Sequence, residues 1–161
     1  MSSNKKWNSD LIRGNKGERV IGNYFNENKG ITDIQYNDDY RYDIKGEKDG
    51  KVISFEVKTD RYEYFKKITT GNMFVEVSCS NKPSGISNSQ ADYFIYYFPD
   101  QDIAYLISLG DLRLMLMKEN LQMTEQSGDG GKVQGFIIHI QSFREYFKVI
   151  KIKKDLNIWT D

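Results

Sequence analysis

Ser54-Phe55-Glu56-Val57-Lys58 is the stretch on which the reading of this chain turns. It lies in a run from Val52 to Lys58 whose side chains alternate as they do along a strand. Val52, Ser54, Glu56 and Lys58 leave one face; Ile53, Phe55 and Val57 leave the other. The second face is apolar and wants a core. The first sets a carboxylate and an ammonium side by side, two residues apart. Thirteen residues before Glu56 stands Asp43, on a strand predicted over Arg41 to Gly46, with a charged turn from Gly46 to Gly50 between the two strands. An antiparallel hairpin of that length brings Asp43 level with Glu56, so that Asp43, Glu56 and Lys58 cluster.

Two carboxylates converging on one point can hold a hard cation, and a nearby lysine can hold a water or balance charge on a phosphate. Those are the parts that phosphodiester hydrolysis needs. Composition narrows the metal chemistry to the same place. One cysteine, Cys79, excludes an internal disulfide framework and a cysteine zinc knuckle, and one histidine, His139, excludes multi-histidine sites. Carboxylates and carbonyls are what remain, and they suit Mg2+ or Mn2+.

Upstream, Val20, Ile21, Tyr24 and Phe25 recur at helical spacing and predict a helix from Lys16 to Asn28, stopped by Gly30. Glu18 falls on the apolar stripe of that helix, and a carboxylate on a buried face wants a partner, which a metal site or Lys58 would provide. Gly22 on the same face lets the helix approach a sheet closely.

Gly17-Glu18-Arg19 on a helix, then Tyr42-Asp43-Ile44, then Ser54-Phe55-Glu56-Val57-Lys58, resembles the PD-(D/E)XK nuclease superfamily. In order and spacing it is most similar to Holliday-junction-resolvase-type and phage or restriction-type endonucleases. The resemblance covers about residues 14–60, with Tyr42 standing where the motif's name has Pro. It implies an α/β restriction-endonuclease-like core, Mg2+ as the usual cofactor, DNA as substrate and a homodimer. It would make Asp43 and Glu56 metal ligands, Glu18 an auxiliary acid at the metal, and Lys58 the catalytic lysine.

Downstream, the pattern predicts strands over Ile31 to Tyr36, Asn72 to Ser78 and Phe136 to Ile140. A hairpin of Asp92 to Phe98 and Ile103 to Leu109 turns at Pro99-Asp100. Asp60 to Ile68 reads as a short connection of a helical turn or two, and Asn81 to Ser89 and Ser127 to Gly131 as loops. A helix over Leu112 to Glu119 has Asp111 as its cap, and Ser142 caps a last one over Phe143 to Phe147. The order predicts one α/β domain over 1–161, a mixed central β-sheet flanked by helices.

At 161 residues with zero net charge, the chain is not the strongly basic type of nucleic-acid binder, although both ends are basic and the middle is acidic. No apolar run is long enough to span a bilayer, so a soluble, cytoplasmic protein is expected. The sharp reading has a plain competitor: a solvent-facing strand with an ordinary Glu–Lys pair. Glu27-Asn28-Lys29 repeats the same triplet at a helix end, where it carries no chemistry. Glu76 reads as a structural partner for a lysine or an extra ligand, and His139 as a satisfied core residue. Trp7 and Trp159 read as docking the chain ends. A non-catalytic nucleic-acid-binding or protein-interaction module is the alternative from another class.

Overall fold

The computed structural model describes residues 3–37, 40–60, 63–64, 68–69, 71–128 and 131–152. Its centre is the predicted hairpin. Strands β2 (Ile44–Lys48) and β3 (Lys51–Thr59) pair antiparallel, Ile44 opposite Phe55 and Lys48 opposite Lys51. The turn is only Asp49-Gly50, both with positive φ (52° and 74°), which matches the two-residue turn that Asp-Gly favours. The turn predicted over Gly46 to Gly50 is therefore mostly strand, and β2 runs later than Arg41 to Gly46.

Around that hairpin a six-stranded sheet assembles in the order β1 (Thr32–Tyr36), β2, β3, β8 (Tyr93–Phe98), β9 (Ile103–Ser108), β12 (Lys148–Lys151). Every neighbouring pair is antiparallel except β3 and β8, which run parallel, so the sheet is mixed. β8 is the sequence Tyr-Phe-Ile-Tyr-Tyr-Phe, apolar on both faces, and five of its six residues are buried. That double burial is why it sits centrally.

One face of the sheet is covered by α1 (Ser3–Lys29), which packs Val20, Ile21 and Phe25 against Ile44, Phe55, Ile95 and Tyr97. Phe25 stacks on Phe55 with ring centroids 4.5 Å apart. The helix lies close because Gly17 and Gly22 leave room. A methyl group at Gly17 would strike the Thr59 side chain, and one at Gly22 would strike the Tyr36 hydroxyl. The helix ends at Gly30, with φ of 64°. It begins well before Lys16 because the predicted boundary followed the apolar stripe, which marks only its packed end.

The other face meets a second, four-stranded sheet, β10 (Met123–Gly128), β11 (Gly131–His139), β6 (Asn72–Cys79) and β7 (Lys82–Pro83), together with α2 (Leu109–Lys118). Met73, Val75 and Ile138 from that sheet and Leu112 and Met115 from α2 close over Phe94, Tyr96 and Phe98. The architecture is thus α/β, a mixed central sheet with helices and a second sheet on its faces.

Several expectations shift. Asp60 to Ile68 holds two short strands, β4 (Glu63–Tyr64) and β5 (Ile68–Thr69), where a helical turn was predicted. α2 starts at Leu109, and its cap is Ser108, whose hydroxyl accepts the Asp111 N–H at 3.0 Å and donates to the Asp111 carboxylate at 2.7 Å. Ser142 lies inside a single helical turn, α3 (Ile140–Phe143). β10 and β12 were not foreseen. His139 is exposed at the end of β11, contrary to the core role expected for it. Trp159, Lys153, Lys154 and the Trp7 side chain lie outside the described residues. Among the described residues no helix is long and apolar enough to cross a membrane.

Candidate active site

Asp43 sits just before β2, where the ladder to β3 loosens. Its own N–H donates to the Phe55 carbonyl at 2.9 Å, and its carbonyl accepts the Asn37 N–H at 2.8 Å. Its carboxylate then does what the next ladder carbonyl would have done: Oδ2 accepts the Val57 N–H at 2.6 Å. The side chain is thereby pinned over β3 between Phe55 and Val57. The β2–β3 register ends with Ile44 opposite Phe55, and the Asp43 N–H also reaches the Phe55 carbonyl, so Asp43 lies just outside the paired ladder. From there the Asp43 charge acts on Glu56.

Glu56 and Lys58 share the face of β3 that looks toward the second sheet, while Phe55, with Ile53 and Val57, turns to α1. Ser54, on the Glu56 face, is buried and ties β3 to the start of β8: its N–H and its hydroxyl both reach the Asp92 carboxylate at 2.8 Å. Two residues beyond Lys58, Asp60 accepts the Tyr96 hydroxyl at 2.8 Å, and that hydroxyl accepts the Phe74 N–H at 3.1 Å. Both ends of the functional stretch are therefore anchored, and Glu56 and Lys58 stand on a rigid strand between the anchors.

The electrostatics of the pair are unusual. Burial pushes the Asp43 carboxyl up to about 6, against the opposing pull of the Val57 N–H and the Lys58 ammonium. Burial likewise pushes Glu56 up, to about 7, and the Asp43 and Glu76 carboxylates push it further. A hydrogen bond from Ser89 and the Lys58 charge act the other way. Two half-buried acids that repel each other hold their protons into the neutral range. Such a pair wants a positive charge placed between them.

Lys58 is exposed, so its ammonium is free to swing toward a ligand over the strand face. Glu18 is half-buried, next to the Gly17–Thr59 contact near the end of β3, and its charge acts on Tyr36. It is not among the groups that shift Asp43 or Glu56. Glu76 is closer to the chemistry than its sequence context suggested. Its partner is the Ser84 hydroxyl, 2.5 Å away, rather than a lysine, and Glu56 feels its charge. Ser89, in the loop after β7, was missed as a single residue. The sequence reads Asn81 to Ser89 only as a loop.

The donor set suits a hard divalent cation. Asp43 and Glu56 offer two carboxylates, and among the described residues no cluster of three or more His, Cys, Asp or Glu forms a full protein cage. One or two carboxylates, with water and substrate oxygens completing the shell, is the way Mg2+ is usually held. A groove of about 530 Å³ lies elsewhere, on the α1 side of the sheet, lined by Phe25, Phe55, Tyr93 and Ile150. It is behind β3 with respect to the carboxylates and takes no part in the site.

No protein-family model matches the chain, and no curated protein matches it. Among solved structures, the bacterial homing endonuclease I-Ssp6803I is similar over 63% of this chain and 70% of that one, with a TM-score of 0.48 and 13% sequence identity.

Proposed function

We propose that this chain is a metal-dependent endonuclease that hydrolyses DNA phosphodiester bonds on a restriction-endonuclease-like core. The observation that carries the reading is the desolvated Asp43–Glu56 pair at the open end of the β2–β3 ladder, where the Val57 N–H holds Asp43, with Lys58 next along the Glu56 face of β3. Asp43 and Glu56 would hold a Mg2+ or Mn2+ ion, which would supply Lewis-acid polarisation of the phosphate and a more acidic water. Glu18 is the auxiliary acid of this scheme.

The chain's own groups do the rest. The Val57 N–H holds the Asp43 carboxylate, whose charge acts on Glu56. Lys58 places its ammonium where negative charge builds on the phosphate during attack, so it stabilises the transition state more than the bound substrate. The polar strand face between the anchors at Ser54 and Asp60 is where the scissile phosphate rests. Two copies acting together, one on each strand, would make a double-strand break.

The test is plasmid nicking by wild type in Mg2+ and in EDTA, beside Lys58→Ala. Cleavage that needs the metal and vanishes in the variant supports the reading. Cleavage equal in all three removes the activity from this site, and no cleavage in any of them leaves a non-catalytic binding module in its place; either outcome overturns the reading. A panel of duplex, flap, single-strand and four-way-junction DNA then defines the substrate shape. Sedimentation in the presence of DNA tests the dimer.

A further inference from the structure

The second sheet and α2 do not cover the whole face on which they rest. From the first sheet, the buried cluster beneath them takes Phe94, Tyr96, Phe98, Tyr105 and Ile107, all on β8 and β9. On the β1–β3 half of the same face the side chains stay open: Gln35 and Glu47 are exposed, and Val52 is 71% exposed. The register puts Lys45 on this open half. It pairs with Gln35 on one side and with Ser54 on the other, and Ser54 shares its face with Glu56 and Lys58. Residues directly opposite each other on antiparallel strands point the same way.

Tyr42, the residue before Asp43, packs against the edge of the buried cluster. Two cations gather at its ring: the Arg41 guanidinium carbon is 5.8 Å from the centroid and the Lys45 ammonium 5.9 Å. An aromatic face holds a cation in place without cancelling its charge, as a carboxylate would. The Arg41 backbone is fixed as well. Its carbonyl accepts the Gln90 N–H at 2.7 Å and the Ser89 hydroxyl at 3.2 Å, and the Ser89 carbonyl accepts Nη2 of Arg113 on α2 at 2.8 Å.

Along β3, Lys45 is level with Ser54, two residues before Glu56, and the exposed Lys58 stands two residues after it. Positive charge therefore brackets the acid pair over roughly 13 Å, four residues at a strand rise of about 3.3 Å each. Glu47 marks the end of the bracket, two positions from Lys45 toward the turn. A chain with zero net charge has no overall attraction for a polyanion, so binding one depends on such a local cluster. We infer that the open shelf of β1–β3 carries a DNA strand, with Arg41 and Lys45 contacting phosphates on the side of the scissile one away from Lys58. The inference rests on the nuclease reading above for the place of the scissile phosphate; the shelf itself is tested by binding.

The experiment uses the full chain and a fluorescein-labelled DNA duplex. Anisotropy titrations in Ca2+ are run over a salt series, thermal melting checks the fold, and plasmid nicking in Mg2+ is measured beside them. Arg41→Gln and Lys45→Gln should each lower the slope of log affinity against log salt by about one, and the double variant by about two, because each lost phosphate contact releases about one counterion fewer. Lys48→Gln removes an exposed lysine from the opposite face of β2 and should leave the slope at its wild-type value. A wild-type slope in the double variant, or an equal loss in Lys48→Gln, overturns the inference, and metal-dependent nicking by the wild type then leaves the nuclease reading standing. The expected slopes in a protein that never nicks support the shelf as a DNA surface and overturn the nuclease reading alone. A wild type that binds no duplex at low salt overturns the inference.

Discussion

Glu125 on β10 and Glu56 on β3 are both strand glutamates with a lysine in reach, and the fold puts them in opposite situations. Glu125 meets Lys132 of β11 at 2.9 Å, with the Lys132 side chain 75% exposed and that of Glu125 43% exposed. The Lys132 hydrogen bond holds its carboxyl below the usual range, as expected for a wet ion pair. Glu56 is half-buried, faces a second carboxylate rather than a matched cation, and is pushed upward instead. The first arrangement lowers its energy by being together. The second carries unfavourable energy that a bound cation can relieve. What separates the two glutamate–lysine neighbourhoods is therefore the desolvation of Glu56 and the second acid beside it, not the spacing of the two residue types.

The largest expected effect breaks that contrast at its functional end. Lys58→Ala should lower the nicking rate by about 10²–10³, the typical loss for one preorganised transition-state donor, worth ~3–4 kcal/mol. Asp43→Asn and Glu56→Gln should cost at least as much. Gel-shift affinity in EDTA or Ca2+ should persist in all three, because none of these side chains fills a core. Nicking by each variant at the wild-type rate would move the activity to another part of the molecule.

A middle-sized effect appears in stability. The Asp43 and Glu56 carboxyls sit above their ordinary values near 4, at about 6 and about 7, so the native state binds protons that the unfolded chain releases. Their favourable contribution is complete below the ordinary range and is lost as pH rises through the folded values. Metal-free protein should thus become less stable from about pH 4 to about pH 7 on account of this pair, with each carboxyl contributing at most ~1.4 kcal/mol for every pH unit between its unfolded and folded values. Glu56→Gln or Asp43→Asn should stabilise the metal-free protein at pH 8 by about 1–3 kcal/mol, and Asn keeps an acceptor for the Val57 N–H. Mg2+ should raise the melting temperature of wild type and not of either variant. Urea melts at pH 5 and pH 8, with and without the ion, read all of this. A flat pH response would mean that the two acids are as well solvated as Glu125.

The part of the site that the sequence reveals is the part written locally. Strand alternation puts Glu56 and Lys58 on one face, and Asp49-Gly50 forces a two-residue turn. Once that turn is set, counting carries Asp43 to the end of the ladder, where the pairing stops at Ile44 opposite Phe55. Ser89 and Arg113 are different. The Ser89 hydroxyl reaches the Arg41 carbonyl from a loop forty-eight positions on, and Arg113 reaches the Ser89 carbonyl from a helix twenty-four positions further. Nothing in the periodicity of either segment encodes those meetings; they arise from how the second sheet and α2 stack on the first. The strands that escaped notice were the edges. In β10, Met123–Gly128, none of residues 123–126 is buried, so it lacks the apolar alternation, and β12 is four residues with a lysine at each end. Charged ends and short length are how edge strands avoid further pairing, and they also erase the apolar signal that a strand prediction follows. Glu18 was placed by its helical stripe, which fixes the face of α1 but not the point on the sheet that the face meets.

The smallest expected effect tests the comparison from its wet side. Glu125→Gln and Lys132→Ala each remove one partner of the exposed pair. In water the two charges attract weakly, each long side chain is ordered at an entropic cost, and salt screens what is left. Removing one leaves the other to be hydrated with no desolvation to undo. Both variants should melt within experimental error of wild type at moderate salt and nick DNA at a rate within about twofold of it. The measurement is paired with the Glu56→Gln melt at pH 8, on the same instrument and buffer. A Glu125→Gln shift as large as that of Glu56→Gln, or a comparable loss of nicking, would show that glutamate burial does not divide the two neighbourhoods. The second sheet would then have to be counted as part of the DNA-handling surface.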